Sequence, residues 1–152
     1  MMQISAQILW QRNNDSFLDN RYSRSHQWKF DGGAVCSASA SPHIVRPPLS
    51  DETFVDPEEA FVASIASCHM LWFLSIAAKN NCIIERYDDK AIGVMARNDA
   101  GKLMVANVTL SPKITWKETP STEQVQQMHD DAHEECFIAN SVKTKIFIEV
   151  TS

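Results

Sequence analysis

Residues 56–81, DPEEAFVASIASCHMLWFLSIAAKNN, decide the fold of this chain. Asp56 is suited to cap a helix, Pro57 to occupy its first position, and Glu59 to reach back to the cap. The run from Ala60 to Ala78 contains no Asp, Glu, Lys or Arg and is apolar on nearly every face. This pattern predicts a long helix that protein or lipid covers on all sides.

The predicted helix ends before Asn80-Asn81 and is almost long enough to span a membrane. We favour the buried central helix of a soluble protein, because no second span occurs and the rest of the chain has strand patterns. Polar residues also interrupt the run, namely Ser64, Ser67, His69 and Ser75.

Segments with a period of two precede this helix. Residues 3–10 place apolar side chains on one side, which is typical of a half-buried strand. Two short strands are predicted over residues 27–30 and 34–40, around the turn Asp31-Gly32-Gly33.

Further strands and a second helix follow the central helix. Residues 91–97 and 102–116 are predicted to pair across residues 98–101, with one face of the long arm apolar and the other polar. A helix is predicted over residues 121–137 and a last strand over 143–150. The sequence therefore predicts a single α+β domain over residues 1–152, a curved antiparallel sheet packed on two helices, one of them fully buried.

The second helix carries its own start signal and an apolar face. Ser121 and Gln124 are spaced as a capping box. Four residues recur at helical spacing on one side, which is therefore predicted to face the core: Val125, Met128, Ala132 and Cys136.

Composition narrows the class of protein. The chain has 152 residues, 44% of them hydrophobic and 22% charged, and its net charge is −5. A weakly acidic chain is a poor partner for nucleic acid or for an anionic membrane, since both attract basic surfaces. Residues 1–10 lack the features of a signal peptide, so we expect a cytoplasmic protein. Its four isolated cysteines are then either inert core residues or redox groups.

Two cysteines stand out by position, and the motifs around them resemble a known family. Cys68 lies in the predicted central helix and Cys136 ends the inner face of the second helix. The stretches 56–61 and 66–69, with Cys68 ten positions after Glu58, resemble the reactive-cysteine motif of the OsmC/Ohr peroxidases. Residues 133–141, around Cys136, resemble the segment with the resolving cysteine of that family. Phe137 is a departure, because many members have Pro there.

The resemblance implies a thiol peroxidase of the antioxidant and stress response, with no cofactor. Cys68 would attack a hydroperoxide and become a sulfenic acid, and Cys136 would condense with it to a disulfide. A dithiol reductant, a lipoyl-type dithiol being one candidate, would restore both thiols. Family members are intertwined dimers with sites at the interface, so we expect a homodimer with two shared sites.

A thiolate at Cys68 requires a cation, because the helix dipole acts only near the first turn. The family uses an N-terminal arginine that is held by the motif glutamate, here Glu58. We assign Arg24 to this role, with Arg21 as the second choice. Ten residues of helix span about 15 Å. Glu58 therefore reaches the Cys68 of its own chain only if the helix is broken; otherwise it serves the Cys68 of a second subunit.

Apolar residues near the two cysteines predict that organic hydroperoxides react faster than hydrogen peroxide. The predicted pocket is formed by Phe61, Ile65, Leu71, Trp72 and Phe137.

Two other functions compete with the peroxidase. His129, His133 and Cys136 share one face of the second helix, and His69 adjoins Cys68, so a zinc-dependent hydrolase is conceivable. A non-catalytic carrier of hydrophobic ligands would instead use a pocket lined by Phe61, Leu71, Trp72 and Phe137.

Overall fold

The computed structural model describes residues 1–150. The chain divides into two compact units, Met1–Ala60 and the residues from Phe61 onward. The single-domain organisation remains a prediction, and each unit is described by itself below.

The first unit contains a three-stranded antiparallel sheet in the order β1-β2-β3. Its strands are β1 (Ala6–Leu9), β2 (His26–Phe30) and β3 (Val35–Ala38). The turn between β2 and β3 lies where it was predicted, and Gly33 provides its positive φ of 89°. The prediction of a half-buried first strand is wrong for the single chain, because all four residues of β1 are exposed. Alternating apolar and polar residues indicate that one face of a strand is apolar, but they do not indicate which part of the protein covers that face.

Helix α1 (Pro57–Lys79) begins and ends as predicted. The Glu59 N–H donates to Asp56 Oδ1 at 2.8 Å, and the Asp56 N–H donates to Glu59 Oε2 at 3.1 Å, which completes the capping box. After the last turn, Asn81 adopts a left-handed φ of 57° and ends the helix. The helix is continuous, so an early break that would bring Glu58 back to Cys68 does not occur.

The helix α1 is buried on one side only, and not on all sides as predicted. Its fully buried residues recur at helical spacing, while Leu71 on another face is 61% exposed. By length and composition α1 is the one helix of residues 1–150 that is apolar enough to cross a membrane, a property it shares with core helices of soluble proteins. The absence of charged residues predicts that every face of α1 is shielded from water. Within a single chain, only one side of the helix is covered.

The second unit contains two ladders of strands. One pairs β4 (Ile84–Asp89) antiparallel with β7 (Pro112–Trp116). The other has the order β5-β6-β8, formed by β5 (Ile92–Arg97), β6 (Leu103–Leu110) and β8 (Lys145–Ile148). These elements confirm the α+β class, but β6 and β8 are parallel, so the sheet is mixed and not wholly antiparallel.

The predicted long arm over residues 102–116 is two strands. It divides at Ser111, whose N–H donates to Asp89 Oδ1 at 2.7 Å, and Pro112 then starts β7 beside β4. Proline lacks an N–H and is tolerated at the first position of a strand, where the chain leaves one ladder for the next. The prediction missed β4, because its polar residues conceal the alternation.

Helix α2 (Thr122–Glu135) begins at the predicted cap, since Ser121 Oγ accepts from the Gln124 N–H at 3.2 Å. The Gln124 side chain donates instead to Cys82 Sγ at 3.6 Å, so only half of the capping box forms. The buried side of α2 packs on α1 in one apolar cluster formed by Phe73, Ile76, Ala77, Val125, Met128 and Ala132. A second cluster joins α1 to β6 through Ile65, Val108 and Leu110.

Candidate functional site

The helices α1 and α2 place Cys68 and Cys136 side by side. Cys68 is half-buried on α1, whereas Cys136, directly after α2, is 1% exposed. The Cys68 side chain lies within hydrogen-bonding reach of the Cys136 thiol, and both cysteines are free thiols. The sulfur of the more accessible cysteine thus faces the sulfur of the buried one.

The chain turns sharply after Cys136 and directs backbone donors at this residue. The Ala139 N–H donates to Cys136 Sγ at 3.4 Å, and the Asn140 N–H donates to the Cys136 carbonyl at 3.0 Å, at the start of a 3₁₀ turn over Ala139–Ser141. Burial raises the pKa of the Cys136 thiol, the Ala139 N–H lowers it in part, and the Cys68 side chain raises it again. The net upward direction keeps Cys136 protonated at neutral pH.

Two ring contacts involve residues that are close in the chain to the two thiols. His69 Nε2 and His129 Nδ1 are 3.0 Å apart and share a hydrogen bond. Trp72, one turn after Cys68, meets Phe137 edge-on, with ring centroids 5.5 Å apart. The first contact joins α1 to α2, and the second joins α1 to the residue after Cys136.

The two histidines of this contact are core residues. His69 is 1% exposed and His129 is 0% exposed, and the His129 ring stacks on Phe73 at a centroid distance of 4.1 Å. Burial lowers the pKa of both imidazoles to about 4, and the neighbouring His129 and His133 lower that of His69 further. Both rings are therefore neutral at pH 7, and one neutral ring donates its N–H to the unprotonated nitrogen of the other.

The predicted activating groups lie in the first unit and do not form the expected ion pair within one chain. The Arg24 guanidinium stacks on the Tyr22 ring at 3.8 Å and donates to the Tyr22 carbonyl, to the Asn20 carbonyl at 3.1 Å and to Asn20 Oδ1 at 2.9 Å. Among residues 1–150 the Glu58 carboxylate has no ion-pair or hydrogen-bond partner. Within one chain Glu58 does not pair with Arg24, because the loop around Asn20 already satisfies this guanidinium, and the roles of both residues remain predictions.

Arg21, the second choice for the activating cation, is exposed. Its backbone N–H donates to Asp19 Oδ1 at 3.1 Å. The assignment of the activating arginine therefore remains a prediction.

The ligand set of the zinc hypothesis is not assembled. In the part of the chain that the structure describes, no three His, Cys, Asp or Glu side chains are grouped as a metal site. His129 Nδ1 is engaged by His69, and Cys136 faces Cys68 instead of the two α2 histidines.

The apolar residues predicted to form one pocket are dispersed. Ile65 is fully buried in the core and is not available to a ligand. Phe61 lines a cavity of about 310 Å³ that contains none of the other four. Leu71 and Phe137 are exposed, and Trp72 packs on Phe137. A carrier pocket built from Phe61, Leu71, Trp72 and Phe137 is therefore not present in the single chain.

The His69–His129 pair is a feature of the site that was not predicted from the sequence. The signal was present, because His129 continues the helical spacing of the predicted inner face, between Val125 and Ala132. The polarity of His129 masks this signal, because a histidine at a core position is unusual.

Fold and site together define an α+β protein with two adjacent thiols on facing helices. The family model for OsmC-like proteins matches residues 50–151. The chain belongs to the OsmC-like family.

Solved structures agree with this assignment. An OsmC-like protein of unknown function from Vibrio cholerae is 51% identical, with a TM-score of 0.96 over 99% of this chain and 100% of that one. The organic hydroperoxide resistance protein OhrB of Bacillus subtilis shares the fold at 18% identity, with a TM-score of 0.70 over 99% and 98% of the two chains. One from Elizabethkingia anophelis shares it at 15% identity, with a TM-score of 0.71 over 97% and 93%. No curated protein matches the sequence.

Proposed function

We propose that this protein is a thiol peroxidase that reduces organic hydroperoxides through Cys68 and Cys136. The observation that carries the proposal is the contact between the half-buried Cys68 and the buried Cys136. Two relatives of the same fold are named organic hydroperoxide resistance proteins, which is consistent with this activity.

In the first step the Cys68 thiolate attacks one oxygen of the hydroperoxide. An S–O bond forms, the O–O bond breaks, and the second oxygen takes a proton and leaves as an alcohol. Cys68 is oxidised to a sulfenic acid. Cys68 suits this step because it is the more accessible of the two thiols.

In the second step the Cys136 sulfur attacks the sulfenic acid. The S–S bond forms, the S–O bond breaks, and the Cys136 proton combines with the departing hydroxyl to give water. The raised pKa of Cys136 keeps this thiol protonated and unreactive towards peroxide until Cys68 is oxidised, and the thiol proton leaves as the S–S bond forms. A dithiol donor then reduces the disulfide by exchange and is itself oxidised.

The surroundings of Cys68 favour apolar substrates. Trp72 and the exposed Leu71 and Phe137 offer apolar surface close to the two thiols. A substrate that buries about 100 Å² of its own apolar surface there gains about 2–3 kcal/mol, whereas hydrogen peroxide gains none. If all of this binding energy stabilises the transition state, kcat/KM is roughly fifty- to a hundredfold higher for the apolar hydroperoxide than for hydrogen peroxide.

A homodimer in the cytoplasm completes the proposal. Exposed apolar side chains on β5 of the second unit need a partner to exclude water, namely Ile92, Val94 and Met95. A second copy of α1 is a suitable cover, because the uncharged run has the same surface in both subunits. Because α1 is unbroken between Glu58 and Cys68, the proposal has Glu58 serve the Cys68 of the partner.

The test compares Cys68→Ser with Cys82→Ser, using cumene hydroperoxide and excess dithiol donor. Cys82 is a free thiol at the end of α1 and serves as the matched control. We expect Cys68→Ser to lose peroxide reduction while its circular dichroism is unchanged, and Cys82→Ser to keep it. Substantial activity in Cys68→Ser, or equal kcat/KM of the wild type for cumene hydroperoxide and hydrogen peroxide, would contradict the corresponding part of the proposal.

A further inference from the structure

We infer that the His69–His129 hydrogen bond positions the resolving step: it holds α2 against α1 so that the Cys136 sulfur stays within reach of oxidised Cys68. This inference rests on the proposed peroxidase function. It assigns His69 and His129 as positioning residues that act through the two cysteines and not on the peroxide itself.

The geometry of the contact is that of a directed bond between the helices. His69 Nε2 and His129 Nδ1 are 3.0 Å apart, the ring planes differ by 5°, and the ring centroids are 5.3 Å apart. Nearly parallel rings with their nitrogens this close are joined edge to edge, with the hydrogen bond in the plane of both rings. Such a bond resists sliding and rotation of one helix on the other, because its strength falls steeply when its angle changes.

The hydrogen bond is placed where it affects the distance between the Cys68 and Cys136 sulfurs. His69 directly follows Cys68 on α1, and His129 lies on the same inner face of α2 as Cys136. Two turns of helix, about 10 Å, separate His129 from Cys136. A rotation of α2 about this anchor therefore moves the Cys136 sulfur relative to Cys68.

Stability alone does not account for the histidine pair. Each ring leaves a second nitrogen, His69 Nδ1 and His129 Nε2, buried without a hydrogen-bond partner. A buried polar atom without a partner is destabilising, whereas two apolar side chains of similar shape are often neutral or stabilising at such a position. An apolar pair does not fix the relative orientation of the two helices. Two packed leucine side chains tolerate small displacements that would weaken an N–H···N hydrogen bond. The bond therefore suits a site where the distance between two other atoms must be kept.

Charged and titratable groups around the pair are consistent with a neutral, permanent bond. His133 lies close enough to disfavour protonation of His69, and the Asp130 carboxylate slightly favours protonation of His129. At neutral pH the desolvation of the two rings outweighs both neighbours.

Two double variants distinguish the effect of the directed hydrogen bond from the effect of side-chain packing between α1 and α2. His69→Leu with His129→Leu removes the bond and keeps apolar packing. His69→Gln with His129→Asn puts amide groups near the two bonding nitrogens, because Gln reaches the Nε2 position and Asn the Nδ1 position. Met128→Leu, a change on the same buried face of α2 that conserves volume, is the packing control.

Each protein, with Cys36 and Cys82 replaced by Ser, receives one equivalent of cumene hydroperoxide. Sulfenic acid at Cys68 is trapped with dimedone, and the disulfide is measured by loss of free thiols. Mass spectrometry with excess peroxide gives the fraction of Cys68 that passes to the sulfinic acid.

We expect an unchanged rate of sulfenic acid formation in every variant. In the leucine pair, disulfide formation should be about ten- to a hundredfold slower, as expected for a displacement of reacting atoms by an ångström or less. The sulfinic fraction should rise, although the protein is at least as resistant to urea as the wild type. The amide pair and Met128→Leu should form the disulfide at nearly the wild-type rate.

Disulfide formation at the wild-type rate in the leucine pair would overturn the inference. So would a slow amide pair whose resistance to urea falls in parallel, because that result would indicate packing alone. A wild type that forms no sulfenic acid at Cys68 would refute the proposed function itself, which is a separate outcome.

Discussion

Acid should destabilise this protein mainly through the buried histidine pair. His69 and His129 have pKa values lowered to about 4 in the folded protein, against 6.5 in an unfolded chain. Between these values the unfolded chain binds protons that the folded chain does not bind. Stability from the neutral pair is therefore fully present above pH 6.5 and is lost as the pH falls towards 4.

The size of the effect follows from the shifts. One pKa unit corresponds to about 1.4 kcal/mol, and because the titration is incomplete at both ends of the range, each imidazole accounts for about 2.5 kcal/mol of lost stability between pH 7 and pH 4.5. Both together approach about 5 kcal/mol, a large part of the 5–15 kcal/mol that is typical of a folded domain.

The histidine contribution to the free energy of unfolding is isolated by comparing the wild type with the His69→Leu, His129→Leu double variant. Both proteins are unfolded in urea at one protein concentration and at several pH values from 7 to 4.5. Carboxylates are common to both proteins and cancel in the difference. We expect the free energy of unfolding to fall by about 5 kcal/mol more in the wild type, the sum of the two imidazole contributions. Parallel curves, with a gap that changes by less than about 1 kcal/mol, would refute the assignment of neutral buried imidazoles.

Three further predictions concern single residues. Cys136→Ser should consume about one equivalent of peroxide and then stall, with added oxygen atoms on Cys68 in mass spectra. Arg24→Ala should slow peroxide reduction at neutral pH and recover part of the rate at higher pH, because a nearby cation favours the thiolate. Gly93→Ala should lower the free energy of unfolding by about 1–3 kcal/mol, since the added Cβ would lie 2.6 Å from Val62 Cγ2.

Each of these variants has a control. Added oxygen mainly on Cys36 or Cys82 would contradict the first prediction. If Arg21→Ala is impaired and Arg24→Ala is not, the cation was misassigned although the chemistry stands. Gly32→Ala meets no atom within 4 Å and should leave stability nearly unchanged; an equal loss in both glycine variants would exclude the steric explanation.

Helix bounds were predictable because their signals are local. The capping box of Asp56 and Glu59 depends on residues three positions apart, and Ser121 caps α2 in the same way. Turn positions such as Gly33 were predictable for the same reason, as a positive φ is a property of one residue.

Strand partners were less predictable, because pairing joins residues that are distant in the chain. The parallel pairing of β6 with β8 and the separate β4–β7 ladder depend on how the chain crosses between elements. Alternation identifies a strand but is the same for a parallel and an antiparallel neighbour.

The sequence by itself determined the two helices, the α+β class, and Cys68 and Cys136 as the candidate thiols, since these depend on local spacing and motif. Only the tertiary structure decided that Cys68 and Cys136 are in contact and that His69 joins His129. Both pairs are formed by residues far apart in the chain, brought together by the packing of α1 on α2. The periodicity of one helix shows which side is buried, but the partner that meets each side chain is set by the position and angle at which the second helix docks.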